Sequence, residues 1–176
     1  TSTPVPPTDT PGAPTNTPTP TPTRTNTPVP PTATNTPGPG TIAFVKNVGT
    51  AACGNTSNVI TIPAGGVAAG NTLIVRVTLR AGSPGTGSVS VADSKGNAYT
   101  VDKDITNANV RLVILSANVP TALVSGDTIT ASHPPVNPSA SGLVVTEFSG
   151  IAATNRVDVS ASATGSSTTP SVSATT

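Results

Sequence analysis

Few residues of this chain could carry out nucleophilic or metal-dependent chemistry. His133 and Cys53 are its single histidine and single cysteine. His133 precedes two prolines in a predicted loop, and no flanking signature selects a serine with which it could form a Ser-His-Asp triad. One histidine and one cysteine also cannot complete a zinc site without carboxylates. We therefore predict no catalytic residue, and we interpret Cys53 as a small buried or half-buried thiol, with an intermolecular bridge or a reactive thiol as the alternatives.

Carboxylates are the remaining candidates, and six of them follow the first forty residues. Asp93 and Asp127 fall in predicted turns, where short hydrogen bonds to the backbone account for them. Asp102 and Asp104 stand one residue apart on the same strand face and could contribute to a calcium site together with backbone carbonyls. A solvated strand end is the simpler interpretation of that pair. We therefore predict neither a resident metal nor a cofactor.

Glu147 lies within an apolar predicted strand, next to Phe148. A carboxylate in this position could form one half of a glycosidase pair. We favour a structural role, in which Arg76, Arg111 or a backbone N–H satisfies a buried or edge-facing carboxylate. A freestanding enzyme is therefore the least favoured function.

Carbohydrate recognition usually relies on exposed aromatic rings. The chain has two Phe, one Tyr and no Trp. Because two of the three rings are expected to belong to the core, Tyr99 is the sole candidate platform. A conventional sugar-binding module is correspondingly disfavoured.

Hydroxyl groups are the most frequent modifiable groups, and over one stretch they recur at every second residue. That stretch contains Thr15, Thr17, Thr19, Thr21, Thr23, Thr25 and Thr27. Since polyproline II turns every third residue, successive hydroxyls point around all faces of the rod. We predict O-linked sugars on these threonines, with a bare flexible linker as the alternative. Asn55 begins the only N-glycosylation sequon, Asn55-Thr56-Ser57.

These threonines belong to a stalk, residues 1–40, that contains 13 Pro and 14 Thr. Proline fixes φ, lacks an N–H and extends the residue before it, so this region is predicted to be an extended, polyproline-II-like rod. Because the chain begins with Thr1 and not with Met, we expect that an upstream segment has been removed or precedes the given sequence, and a cleaved secretion signal is the simplest explanation. We therefore expect a secreted chain.

Charge and hydropathy exclude further partners. Charged residues make up 9% of the chain, against about 25% in ordinary domains, and the formal net charge is +1. Such a surface offers little attraction to nucleic acid. The most apolar stretch, Leu73 to Val77, is too short to span a bilayer, so no membrane insertion is expected.

Residues 41–176 are long enough for one domain with its own core, and valine dominates their apolar residues. Alternation is clear in Leu73, Val75, Val77 and Leu79, and no segment sustains a helical period. Turn signals separate nine predicted strands, at 42–48, 58–62, 72–80, 87–92, 98–103, 110–117, 127–132, 142–148 and 156–163. This pattern predicts an all-β, antiparallel two-sheet sandwich of jelly-roll or immunoglobulin-like type. Asp93 to Asn97 is predicted to form a hairpin in which Gly96 supplies a positive φ.

Several turn and strand motifs form a recognisable set. They are Ile42-Ala-Phe-Val45, Ala69-Gly-Asn-Thr-Leu-Ile74, Ala92-Asp-Ser-Lys-Gly-Asn-Ala-Tyr-Thr100, Ser125-Gly-Asp-Thr-Ile-Thr130, Glu147-Phe-Ser-Gly150, and Asn155-Arg-Val-Asp158 followed by Ala163-Thr-Gly-Ser-Ser-Thr-Thr-Pro170. This set resembles a β-sandwich module of large secreted bacterial surface proteins, in which such modules are joined by Thr/Pro linkers. The resemblance spans most of 41–176. It implies an architecture and an extracellular, cell-surface setting, but no reaction.

Similar modules continue into further strands where this sequence stops, so the sheet is expected to be incomplete. An open edge can be filled by a strand from the next subunit, which repeated head to tail builds a filament. Candidate donors are 41–48, with Ile42, Phe44 and Val48, or the tail 170–176; otherwise the missing strands follow Thr176. We expect a non-enzymatic, self-associating subunit of an extracellular glycosylated filament or surface layer. The alternative is a carbohydrate-binding or adhesion module tethered to another domain.

Overall fold

The computed structural model describes residues 1–4, 12, 40–52, 54–80, 85–136, 140–165, 168–169 and 171–175. The chain divides into two units, Thr1–Thr34 and Asn35–Thr176. All the strands described below belong to the second unit. Of the first, the structure describes residues 1–4 and 12. Most of the predicted stalk, including its seven O-glycan acceptors from Thr15 to Thr27, lies outside the described residues.

The second unit is an all-β, antiparallel sandwich, as the alternation of its apolar residues predicted. One sheet has five strands in the order β1-β8-β3-β6-β5, and the other has three in the order β2-β7-β4. The eight strands are β1 (Ala43–Ala52), β2 (Ser57–Thr61), β3 (Thr72–Arg80), β4 (Ser90–Asp93), β5 (Thr100–Asn107), β6 (Val110–Asn118), β7 (Thr128–Ser132) and β8 (Ser141–Ser149). β1 and β5 therefore form the two opposite edges of the larger sheet.

The core lies between the two sheets because apolar residues alternate along the central strands. β3 turns its four alternating Leu and Val residues inward, and β6 and β8 add further buried Val and Leu side chains. The smaller sheet contributes Ile60, Ile129 and Ala131 from its facing side. In β3, residue type and spacing were sufficient to predict both the strand and its buried face.

The ninth predicted strand, 156–163, is wrong. Residues 151–165 form no strand; Val157 and Val159 are exposed. Arg156 instead donates hydrogen bonds from Nε to Ser116 Oγ (3.1 Å) and from Nη2 to the Ser116 carbonyl (3.4 Å). Since Ser116 alternates with the buried Leu115 and Ala117, the C-terminal segment crosses the outer face of the five-stranded sheet rather than extending its edge.

The predicted hairpin at Asp93 to Asn97 is also wrong, although its turn is present. β4, which ends at Asp93, belongs to the three-stranded sheet, whereas β5 belongs to the five-stranded sheet. The turn therefore carries the chain from one sheet to the other. Gly96 has φ 75°, as predicted for this position.

Candidate functional site

His133 is buried and has a structural environment. Its Nδ1 lies 2.9 Å from the Pro134 carbonyl oxygen, and its Nε2 lies 3.0 Å from Asn58 Oδ1. Its backbone N–H donates to the carbonyl of Thr56 (2.9 Å). Both ring nitrogens thus contact groups that fix the loop after β7, and neither contacts a serine hydroxyl in the described residues.

Asp102 and Asp104 do not share a face. A bulge interrupts the pairing of β5 with β6 between Val101 and Lys103. Asp102 Oδ1 accepts from Ser116 Oγ (3.1 Å), whereas both oxygens of Asp104 accept from Arg111 (2.9 and 2.6 Å). Ser116 and Arg111 are five residues apart on one strand and so point to opposite faces.

Arg111, which binds Asp104, also contacts the segment that precedes β4. Arg111 Nη1 donates to the carbonyls of Gly85 (2.5 Å) and Gly87 (2.7 Å). The hydrogen bonds from this guanidinium hold the pKa of the Asp104 carboxyl below its usual range and raise the pKa of Arg111. In the described part of the chain, no three His, Cys, Asp or Glu side chains come together as a metal site.

Asp93 and Asp127 form turn contacts, as predicted. Asp93 Oδ1 accepts from the backbone N–H of Lys95 (2.9 Å) and of Asn97 (3.2 Å). Asp127 Oδ2 accepts from the N–H of Val124 (2.8 Å), and these contacts lower the pKa of Asp127. Both carboxylates are thus explained by local backbone geometry.

Tyr99, the predicted sugar platform, is half-buried and packs against the core. Its hydroxyl donates to Asp93 Oδ2 (2.9 Å). Burial, followed by the charge of Asp93, raises the pKa of Tyr99. The ring therefore joins the β4–β5 turn to the core, and its role as a platform stays a prediction.

Glu147 is almost completely buried, at 1% exposure, and its partners differ in part from those predicted. Oε1 accepts from the backbone N–H of Ala68 (3.0 Å) and from Asn71 Nδ2 (2.7 Å). Oε2 lies 3.5 Å from Lys46 Nζ. A backbone N–H was expected, but the cation is Lys46 and not Arg76 or Arg111. Lys46 and Asn71 are thus the site residues that sequence reasoning missed. The β1–β8 pairing reveals Lys46, and the β3–β8 pairing, which places Leu73 opposite Glu147, brings Asn71 close.

The predicted assembly residues fall into two groups. The predicted residues Ile42 and Phe44 are 63% and 59% exposed where the chain enters β1, and Val45, which was not among the predicted residues, is 43% exposed. We call Ile42, Phe44 and Val45 the N-terminal strip. Phe44 meets Phe148 edge-on, with ring centroids 5.9 Å apart. Val48, in contrast, is buried in the core of its own domain.

A second apolar surface lies at the opposite edge of the same sheet. Here a cavity of about 510 Å³ separates β5 and β6 from the C-terminal segment. We call it the β5 groove; its lining is Ile105, Asn107, Val110, Leu112, Ala163, Thr164, Gly165, Thr169 and Ser171. This lining contains no charged side chain. Val101 and Val110, at the same edge, are 47% and 40% exposed.

The remaining candidates are an asparagine and a cysteine near the end of β1. Asn55 is exposed in the bend between β1 and β2, and its carbonyl accepts from the N–H of Val136 (3.0 Å). An exposed sequon is accessible to glycosylation, and occupancy stays a prediction. Cys53 lies outside the described residues.

Comparison with known proteins adds no assignment. No family model matches the chain, and no curated protein or solved structure matches it. None of the described segments forms a helix able to cross a membrane.

Proposed function

We propose that this chain is a non-enzymatic structural subunit of an extracellular glycosylated filament or surface layer, in which copies associate head to tail. The observation that carries the proposal is the presence of two unlike apolar surfaces, the N-terminal strip and the β5 groove, at opposite edges of one sheet. Clustered exposed apolar side chains are typical of association surfaces.

The difference between the two surfaces determines the kind of assembly. When one surface of a subunit binds a different surface of the next, each added copy leaves one of each kind free. If the rotation between copies does not close a ring, the result is an open polymer. An N-terminal strip that binds the β5 groove of the next copy therefore gives a filament.

The chemistry of the two surfaces is complementary. The strip presents two aliphatic side chains and one aromatic ring, and the groove lining is uncharged and partly apolar. A second copy of this chain is therefore the occupant we propose for the groove. Burying apolar area is the dominant favourable contribution to such an association.

Strand addition fits the same arrangement. In the isolated subunit β1 pairs with β8, and β1 and β5 are the terminal strands of the five-stranded sheet. A terminal strand has unpaired N–H and C=O groups along one side, which another chain can bind. Residues 171–175 are exposed and form no strand within the domain, so the tail is a candidate donor.

The Thr/Pro stalk supports an extracellular setting. Its 27 Thr and Pro residues among 40 supply no core, and regularly spaced hydroxyls in such sequences often carry sugars. A sugar-coated spacer would then separate successive sandwiches, or separate the filament from another surface.

Electron microscopy and light scattering of the purified full chain test this function. We expect filaments that disappear in the double variant Ile42→Ser/Val45→Ser. The variant Val124→Ser is the matched control, since Val124 is 57% exposed but lies outside both surfaces. A folded chain that stays monomeric at every concentration would overturn the proposal, and polysaccharide binding by that monomer would favour the adhesion alternative.

A further inference from the structure

Three reactive groups meet at one end of the five-stranded sheet: the amine of Lys46, the carboxamide of Asn71 and the carboxylate of Glu147. Asn71 Nδ2 donates to Glu147 Oε1 at 2.7 Å, and Lys46 Nζ lies 3.5 Å from Glu147 Oε2. A single carboxylate thus contacts an amine with one oxygen and a carboxamide with the other. An amine and a carboxamide are the two reactants of an amide exchange.

The backbone places Lys46 on β1, Glu147 on β8 and Asn71 immediately before β3. Lys46 pairs with Glu147 across β1 and β8, and Glu147 pairs with Leu73 of β3, two residues after Asn71. The carbonyl of Asn71 accepts from the N–H of Val119 (3.0 Å), which fixes the start of β3. The cluster is therefore held by the strand register.

Glu147 is unusually placed for a purely structural carboxylate. It is 1% exposed, and its Oε2 has no hydrogen-bond partner. Lys46 Nζ instead donates to the carbonyls of Gly65 (3.2 Å) and Gly66, and these two bonds fix the amine beside Glu147. A buried carboxylate oxygen that faces an amine without a hydrogen bond is positioned to accept a proton from it.

We propose that Lys46 and Asn71 form a covalent amide crosslink, with Glu147 as the catalytic proton carrier. Lys46 Nζ gives one proton to Glu147 Oε2, and the free amine attacks Asn71 Cγ to form the Nζ–Cγ bond. A second proton passes from Nζ through the carboxylate to Nδ2, and the Cγ–Nδ2 bond breaks. The nitrogen leaves with the remaining proton as ammonium, so the sum is lysine ammonium plus carboxamide giving amide plus ammonium. The step needs no oxidant or cofactor.

The arrangement supplies what this reaction requires. Glu147 Oε1 is already within hydrogen-bond distance of the leaving nitrogen, which is the geometry of general acid–base catalysis. Holding amine and carboxamide on one carboxylate makes the attack intramolecular, which greatly raises its rate over that of free groups. The same three residue types on the solvated surface would remain an ordinary ion pair.

The crosslink would join β1 covalently to the start of β3, across β8, which lies between them in the sheet. β1 is an edge strand, paired on one side only, and it is the strand that residues 1–40 enter. Tension on those residues would otherwise separate β1 from β8 one hydrogen bond at a time. The inference is independent of the proposed filament, because the bond forms within one chain.

Intact-mass spectrometry of the recombinant, unglycosylated full chain tests the crosslink. We expect a mass lower than that of the sequence by one ammonia. In a tryptic digest, cleavage after the acylated Lys46 should be blocked, so that residues 25–76 remain one peptide that is one ammonia lighter than its sequence. The loss should be absent in Glu147→Gln and in Lys46→Arg. Lys46→Arg keeps the positive charge near Gly65 and Gly66, so it reports on the chemistry even if Glu147→Gln fails to fold.

Lys95→Arg is the matched control, because Lys95 also contacts a carboxylate, Asp127, at 3.2 Å, without the Asn71 carboxamide. It should retain the full loss of ammonia. A folded wild-type chain with the mass of its sequence would refute the crosslink. A loss that persists in Lys46→Arg would also refute it, since it would then come from cyclisation of an asparagine alone.

Discussion

Replacing Phe44 by serine should weaken self-association strongly and leave the fold intact. The ring is 59% exposed in the isolated subunit. An aromatic side chain has roughly 200 Å² of accessible area, so about 120 Å² is available for burial in an interface. At about 25 cal/mol per Å² this corresponds to about 3 kcal/mol.

A loss of about 3 kcal/mol corresponds to about a 100-fold weaker association. The critical concentration for polymerisation, measured by sedimentation, should therefore rise about 100-fold in Phe44→Ser. Val124→Ser, with nearly the same fractional exposure, should leave it unchanged. The substitution also removes the edge contact between Phe44 and Phe148 within the monomer. Thermal unfolding of the monomer measures how much stability that loss costs, separately from the effect on association.

If Phe44→Ser polymerises within about twofold of the wild-type critical concentration while its monomer remains folded, the N-terminal strip is not buried in the interface, since burial of even half the ring would change the affinity by about tenfold.

Two further predictions concern the stability of the sandwich. The depressed pKa of Asp104 contributes stability that is present above the ordinary carboxyl pKa of about 4 and is lost as pH falls through the lower folded value. Asp104→Asn should therefore reduce the acid sensitivity of unfolding between about pH 4 and pH 2, measured by denaturant titration, and an unchanged pH profile would contradict the assignment. Gly66→Ala should destabilise by at least about 1–3 kcal/mol, because Gly66 has φ 56° and a Cβ there would lie 2.3 Å from the Leu123 carbonyl oxygen. Gly142→Ala, which meets nothing within 4 Å, is its control in thermal unfolding; equal effects of the two substitutions would be inconsistent with this backbone argument.

The alternation of apolar residues and the turn signals between them were sufficient to predict the sandwich and most of its strands. β3 was predicted at 72–80 and occupies Thr72–Arg80. Alternation is a local property, since a strand with one buried face must repeat its apolar residues with period two. The same rule failed at 156–163, where two alternating valines remain exposed and Arg156 binds Ser116 instead. Two alternating residues do not show whether a neighbouring strand exists.

The turn at Gly96 also shows which features neighbouring residues determine and which depend on the whole fold. A glycine after Asp-Ser-Lys predicts a positive φ, and the structure has one. Whether the strands on either side pair with each other depends on which sheet each of them joins. That choice is made by the packing of the whole core, and it sends β4 and β5 to different sheets.

Only the tertiary structure brought the chemically interesting groups together. Lys46, Asn71 and Glu147 are separated by up to about a hundred residues, and no spacing rule connects them. Their contact follows from the register of β1 and β3 on either side of β8. The two apolar surfaces likewise became opposite edges only when the strand order β1-β8-β3-β6-β5 was known. Residue type and period determine what each strand buries, because those are local properties; which groups meet is decided by long-range pairing, because strand order and register are properties of the folded chain as a whole.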